Sequence, residues 1–248
     1  MAVMSNIHVV VVGAGYAGVA AALRLAWRTR GRVCITLVNP TELFVERIRL
    51  HQALAGPRPP ARSLSRLLRG TGIMLVIGHA TGVDLMARTV TVAGEHLSWN
   101  RLVLALGSVP DLSAPWAVGM AGGPDLAALS ARLPDLAQRR ARVAVVGGGL
   151  TGIETAAELA ERWPGLEVAL LTDRPLLAGW SAAGQAHVRD ALDRLGVRVE
   201  EGRRVAAARP GILSVGNEER AVDACLWVGG FAFPDLARRA GLSVNAAG

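Results

Sequence analysis

Val11-Val12-Gly13-Ala14-Gly15-Tyr16-Ala17-Gly18 is the stretch whose reading decides the fold. It closes a β-branched run, Ile7 to Val12, and opens a helical segment that extends to about Trp27; Val33 to Val38 then reads as a second strand. Strand, glycine turn, helix and strand within about 30 residues make the crossover unit of a parallel sheet. The three glycines have separate jobs. Gly13 permits the tight turn off the strand, Gly15 lets backbone approach a pyrophosphate, and Gly18 lets the helix pack against the strand. The diphosphate then meets unpaired N–H groups and the positive end of the helix dipole. Tyr16 and Ala17 belong to the same diphosphate-facing turn.

The pattern returns. Val143 to Val146 leads into Gly147-Gly148-Gly149-Leu150-Thr151-Gly152, a helix follows to about Arg162, and Val168 to Thr172 reads as the next strand. At a constant offset of 134 residues Gly13 pairs with Gly147, Gly15 with Gly149, Gly18 with Gly152, and Asn39 with Asp173. A lone glycine fingerprint is weak, but two copies in the right context specify two dinucleotide sites. The end of the second strand is where an acid meets ribose hydroxyls. Asn39 stands there in the first unit as a weaker partner, and Asp173 in the second favours NADH, while the neighbouring Arg174 leaves NADPH open.

Between the units Ile73 to Ile77, Ala80 to Leu85, Thr89 to Val92 and Leu102 to Ala105 read as strands, and Gly196 to Val228 repeats that character. Val109 to Gly123, rich in Pro and Gly, reads as a linker; Arg58 to Gly70 reads as exposed, turning helical from Ser63 to Arg69. The fold class is therefore α/β: two Rossmann-like dinucleotide-binding domains, each with a small β-meander.

Composition narrows the function classes. The chain of 248 residues is 51% hydrophobic and 19% charged, which excludes disorder. Its two cysteines, Cys34 and Cys225, make neither a disulfide framework nor a zinc site, and a reducing, cytoplasmic setting follows. No His, Cys and acid cluster has metal-ligand spacing, so no metal is expected. Every basic residue is Arg, and the net charge of +7 falls wholly within the first 118 residues. That excess suits an anionic cofactor or a peripheral position on the inner face of the cell membrane; without a basic run interleaved with aromatics, nucleic acid is not expected. The uncharged first 23 residues lack a basic n-region, and their glycines belong to the fingerprint, so neither a signal peptide nor a span is read there.

With Ala105-Leu106-Gly107-Ser108 after a strand and Trp227-Val228-Gly229-Gly230-Phe231 near the end, the twin fingerprints resemble the two-dinucleotide-binding flavoprotein superfamily. Leu37 to Pro40 and Phe44 to Gln52 make the chain similar to its type II NADH dehydrogenase and apoptosis-inducing-factor-like branch. The resemblance implies FAD on the first unit, held by Gly13, Gly15, Gly18 and Asn39, with Ala80 at the adenine, Gly107 near the flavin and Arg47 lining it. It implies NADH or NADPH on the second, held by Gly147, Gly149, Leu150, Thr151, Gly152 and Asp173, with Glu154 as the acid near the meeting of the two rings; Gly229, in the run near the end, is a further cofactor-binding candidate.

It also implies a domain order: a first FAD-binding part at 1–118, an inserted NAD(P)H-binding domain at 119–225 and a return at 226–248, with the strand Ala224 to Val228 rejoining the FAD domain. The activity implied is hydride transfer from reduced nicotinamide to flavin and on to a quinone or another small-molecule acceptor. Without a Cys-x-x-Cys pair, the disulfide reductase branch is not expected. Superfamily members continue into a Gly-Asp motif and an interface domain that this sequence does not reach. A redox-silent nucleotide-binding or non-redox biosynthetic protein is the alternative expectation. The acceptor and the oligomeric state are not specified.

For other side chains the packing reading competes. Glu154 is also a plain helix-face acid, and Arg47, Arg49, His51 and Gln52 also fit one amphipathic helix with a solvated basic face. Cys34 and Cys225 read as small packing residues, His79 and His96 as structural, and His187 as a helix-surface residue.

Overall fold

The computed structural model describes residues 7–56, 61–111, 116–120 and 124–245. The chain divides into two compact units, Met1–Val45 with Ala61–Val109 and Ala232–Gly248, and Glu46–Pro60 with Pro110–Phe231.

The first unit is built on a parallel sheet of four strands in the order Met74–Ile77, Cys34–Asn39, His8–Val12, Arg101–Leu104. Val9 to Val12 lie under both faces and are all buried, which is why this strand reads as an unbroken apolar run. Alternation assigns the faces. Val9 and Val11 pack with Val19 and Ala22 of the helix Tyr16–Thr29 and with Leu64 and Leu68. Val10 and Val12 pack with Val90 and Val92 of an antiparallel meander, Ala80–Asp84, Thr89–Val92 and Glu95–Ser98. The last of these strands is absent from the sequence reading, because its alternating Glu95-His96-Leu97-Ser98 carries a single large apolar residue.

The second unit repeats the arrangement around Val118–Gly119, Ala224–Trp227, Arg142–Val146, Glu167–Leu171 and Arg198–Glu200, all parallel. Its meander is Val205–Arg209, Ile212–Val215 and Glu218–Ala221. Helices Leu150–Arg162 and Ala182–Arg194 follow the crossover pattern, and His187 is exposed on the second of them. A further helix, Pro124–Gln138, buries Leu126, Leu129, Leu133 and Leu136 at helical spacing despite Pro134 inside it.

Four expectations are corrected. The strand Ala224–Trp227 does not rejoin the first sheet; it pairs with Arg142–Val146 throughout. It is the counterpart of Arg101–Leu104, which pairs with His8–Val12 in the same way, so each unit carries its own fourth strand. Glu46 to Gly56 cluster with the second unit, not the first, because the 3-10 helix Arg47–Leu54 buries Leu50, Ala53 and Leu54 there. Cys34 is exposed at the start of its strand, while Cys225 is buried. Helix Leu64–Leu67, capped by Ser63, is shorter than expected; residues 57–60, and 112–115 and 121–123 of the expected linker, lie outside the described residues.

Candidate functional site: twin glycine loops

In each unit the glycine loop leaves the first strand and enters the first helix, and the two are near copies. Gly13 (φ +101°) and Gly147 (φ +127°) hold backbone that side-chain-bearing residues rarely adopt. A Cβ on Gly13 would lie 2.2 Å from the carbonyl oxygen of Ala105, and one on Gly147 would lie 2.9 Å from the backbone of Gly229. Gly229 is thus pressed against the turn that Gly147 makes, a proximity the sequence reading did not state. A Cβ on Gly18 would sit 1.7 Å from the Gly13 carbonyl oxygen, and one on Gly152 1.8 Å from that of Gly147. By contrast, nothing lies within 4 Å of a Cβ built on Gly15 or Gly149. Both are exposed N-cap residues at the start of long helices.

This contrast tests whether a dinucleotide fits. Two glycines of each triplet are required by the protein's own packing, and the middle one is required by nothing in the protein. Its bareness opens the helix N-terminus to an external group, which is what a diphosphate needs. Tyr16 and Ala17 are exposed in the first turn of one helix, as Leu150 is in the other, with Thr151 half-buried beside it. Tyr16 stands edge-on to Phe44, with ring centroids 5.1 Å apart.

Asn39 is committed to the loop. Its Oδ1 accepts from the N–H of Ala14 at 3.0 Å, and its Nδ2 donates to the carbonyl of Thr41 at 2.8 Å. One lone pair and one N–H remain for a ribose. Ala80 opens the meander opposite Val92, and Gly107, at φ +67°, follows the fourth strand with open space around it.

The gapless offset of 134 does not survive the second strand. Val12 pairs with Val38 but Val146 with Leu171, because the second helix has 13 residues against 14 in the first. Thr172, not Asp173, is therefore the positional counterpart of Asn39. Thr172 is buried, and its hydroxyl donates to the carbonyl of Arg174 at 2.9 Å; Asp173 is exposed one residue further on. The loop beyond is tied down by Glu201, whose carboxylate accepts from the N–H of Leu176 and from Arg189, each at 2.6 Å. These bonds, the backbone one foremost, hold its carboxyl below the usual range. Desolvation pushes the buried Cys225 thiol up to about 12, which leaves it protonated and inert.

Glu154 stands half exposed on the helix Leu150–Arg162, and its carboxylate lies 3.5 Å from Nδ1 of His51. Arg47 is half-buried in the same short helix as His51. That helix is clasped by Trp163, whose Nε1 donates to the carbonyl of Leu54 at 2.8 Å, and by Ser130, whose hydroxyl donates to that of Ala53 at 2.8 Å. The sequence reading named His51 and Glu154 separately; their pairing joins segments about a hundred residues apart and has no local signal. Among the described residues no group of three His, Cys, Asp or Glu side chains is placed to hold a metal, and no helix is long and apolar enough to cross a membrane.

Two parallel-sheet units, each with a glycine loop bared at a helix N-terminus, define a protein built for two dinucleotides. Residues 7–248 match the pyridine nucleotide-disulphide oxidoreductase family, and the chain belongs to it. Among its relatives is NADH dehydrogenase-like protein MT1860 of Mycobacterium tuberculosis (strain CDC 1551 / Oshkosh), 32% identical over 90% of this chain and 62% of the relative. Demethylphylloquinone reductase NdbB of Synechocystis sp. (strain ATCC 27184 / PCC 6803 / Kazusa) is 28% identical over 62% of this chain and 43% of its own. The reductase in the covalent putidaredoxin reductase–putidaredoxin complex superposes with a TM-score of 0.81 at 25% identity, covering 97% of this chain and 63% of that one. The chain thus spans less than two thirds of the length of these relatives.

Proposed function

We propose that this chain forms the dinucleotide-handling part of an FAD-dependent NAD(P)H oxidoreductase whose electrons go to a quinone or another small acceptor. The observation that carries the reading is the duplicated loop in which only the middle glycine is free of any packing duty. In the first unit Gly13, Gly15 and Gly18 shape the diphosphate turn, Tyr16 and Ala17 present its first helical N–H groups, and Asn39 offers the ribose its remaining hydrogen-bonding capacity. Ala80 and Gly107 border the adenine and flavin ends, and Arg47 supplies positive charge. In the second unit Gly147, Gly149, Leu150, Thr151 and Gly152 perform the same work for the nicotinamide cofactor, with Gly229 supporting the turn and exposed Asp173 at the ribose. Glu154, paired with His51, orients the nicotinamide or holds a proton beside it. When bound, flavin and nicotinamide supply the hydride chemistry; the side chains need only orient, shield and tune them.

NADH dehydrogenase-like and quinone-reducing relatives support this reading. The domain assignment, FAD on the first unit and NAD(P)H on the second, belongs to the same proposal, as does a peripheral position at a membrane, which the basic first part favours. The test is optical. A yellow protein, or one that turns yellow with FAD, and that NADH bleaches without oxygen, carries the proposal. A colourless protein that takes up no flavin from excess FAD overturns it in favour of a redox-silent nucleotide binder.

A further inference from the structure

The end of the helix Tyr16–Thr29 remote from its glycine loop carries a surface that nucleotide binding does not use. Arg24, Trp27 and Arg28 stand at helical i, i+3 and i+4 positions and are all exposed, Trp27 at 75%. Arg30 follows at the left-handed C-cap. Leu64, Leu67 and Leu68 belong to one core cluster with Leu23, Leu25 and Ala26 of this helix, and the exposed Arg66 and Arg69 lie on that neighbouring segment. Among the described residues none of these five arginines forms an ion pair. The sequence leaves them unopposed as well: no Asp or Glu occurs before Glu42, nor between Glu46 and Asp84. A helix dipole accounts for a cation in the last turn, such as Arg28. It does not account for Arg24, Arg66 and Arg69, nor for an indole set in water between two guanidinium groups.

We infer that this end of the first unit is a docking surface for an anionic lipid bilayer. A flat, negatively charged interface meets the arginines and the amphipathic indole together, the combination that membrane–water interfaces favour. Trp27 is the aromatic side chain at this end, so the stacked platform that single-stranded nucleic acid needs is missing. The helix is about 20 Å long, so lipid at its C-terminal end leaves the glycine loop open to its nucleotide. The inference builds on the peripheral-membrane part of the proposal above, but its test does not pass through flavin chemistry, so either can fail alone.

The full chain is sedimented with phosphatidylcholine vesicles and with vesicles that also contain phosphatidylglycerol, at low and high salt. Binding to the anionic vesicles only, weakened by salt, is expected. Arg24→Gln with Arg28→Gln should weaken it roughly 30-fold, and Trp27→Ala should weaken it with the charge unchanged. All three positions are exposed, and circular dichroism checks that the variants fold. Equal binding to neutral vesicles, wild-type binding by the Arg variant, no binding to either vesicle, or displacement of the protein from lipid by duplex DNA would each overturn the inference.

Discussion

Gly18 and Gly15 are three residues apart and answer to different masters. A methyl on Gly18 collides with the carbonyl of Gly13, which is backbone and cannot swing aside. Gly18→Ala should therefore cost about 3 kcal/mol of stability or prevent folding, and Gly152→Ala likewise; chemical denaturation measures it. Gly15→Ala meets nothing in the protein and adopts ordinary extended backbone, so its stability should stay within about 0.5 kcal/mol of the parent. On the proposed assignment of this loop its FAD affinity should fall about tenfold or more, because the methyl would enter the space given to the diphosphate; flavin titration checks it. The thiols divide as sharply. An ordinary disulfide reagent should modify one cysteine per native chain, the exposed Cys34, and two in guanidinium, because burial keeps the Cys225 thiol protonated. Native labelling of both would refute the burial.

At the scale of elements, the short helix Arg47–Leu54 and the loop after Glu167–Leu171 are held by a few long-range bonds. Trp163→Phe removes the donor to the Leu54 carbonyl and should cost about 1 kcal/mol. Hydrogen exchange in residues 47–56 should then rise above that of the rest of the second unit. Glu201 anchors the other loop. Its folded carboxyl is held below the ordinary value of 4.5, so its contribution is present above that pH and fades as the pH falls below it. Glu201→Gln should lower the Tm at neutral pH, and the gap should close progressively in acid; a gap that does not shrink as the pH falls below 4.5 would mean the carboxylate is not the anchor.

At the scale of the whole chain, stability is linked to ligands. FAD at a hundredfold excess over its Kd should add about 2.7 kcal/mol to the unit that binds it. Calorimetry with FAD alone, nicotinamide nucleotide alone and both tests whether two distinct sites exist. One shared shift, not increased by the second ligand, would argue for one site. The reading of the sequence reached this scale in part. Its two crossover units, their glycine loops and the presence of a meander in each half were legible because they rest on local patterns, apolar runs, turn glycines and alternation, whereas the strand Glu95–Ser98 was missed for want of apolar residues.

What the sequence by itself determined is the pair of loops and the parallel sheets around them, since neighbouring residues dictate a turn, a strand and a helix start. Three features were decided only by tertiary structure. A helix one residue shorter moved the second strand's register, so Thr172 rather than Asp173 stands opposite the place of Asn39. Strand pairing kept Ala224–Trp227 in the second sheet. Packing carried Glu46 to Gly56 to the second unit, where His51 meets Glu154. Each depends on which distant backbone offers hydrogen bonds or an apolar surface, and no local spacing along the chain encodes that choice.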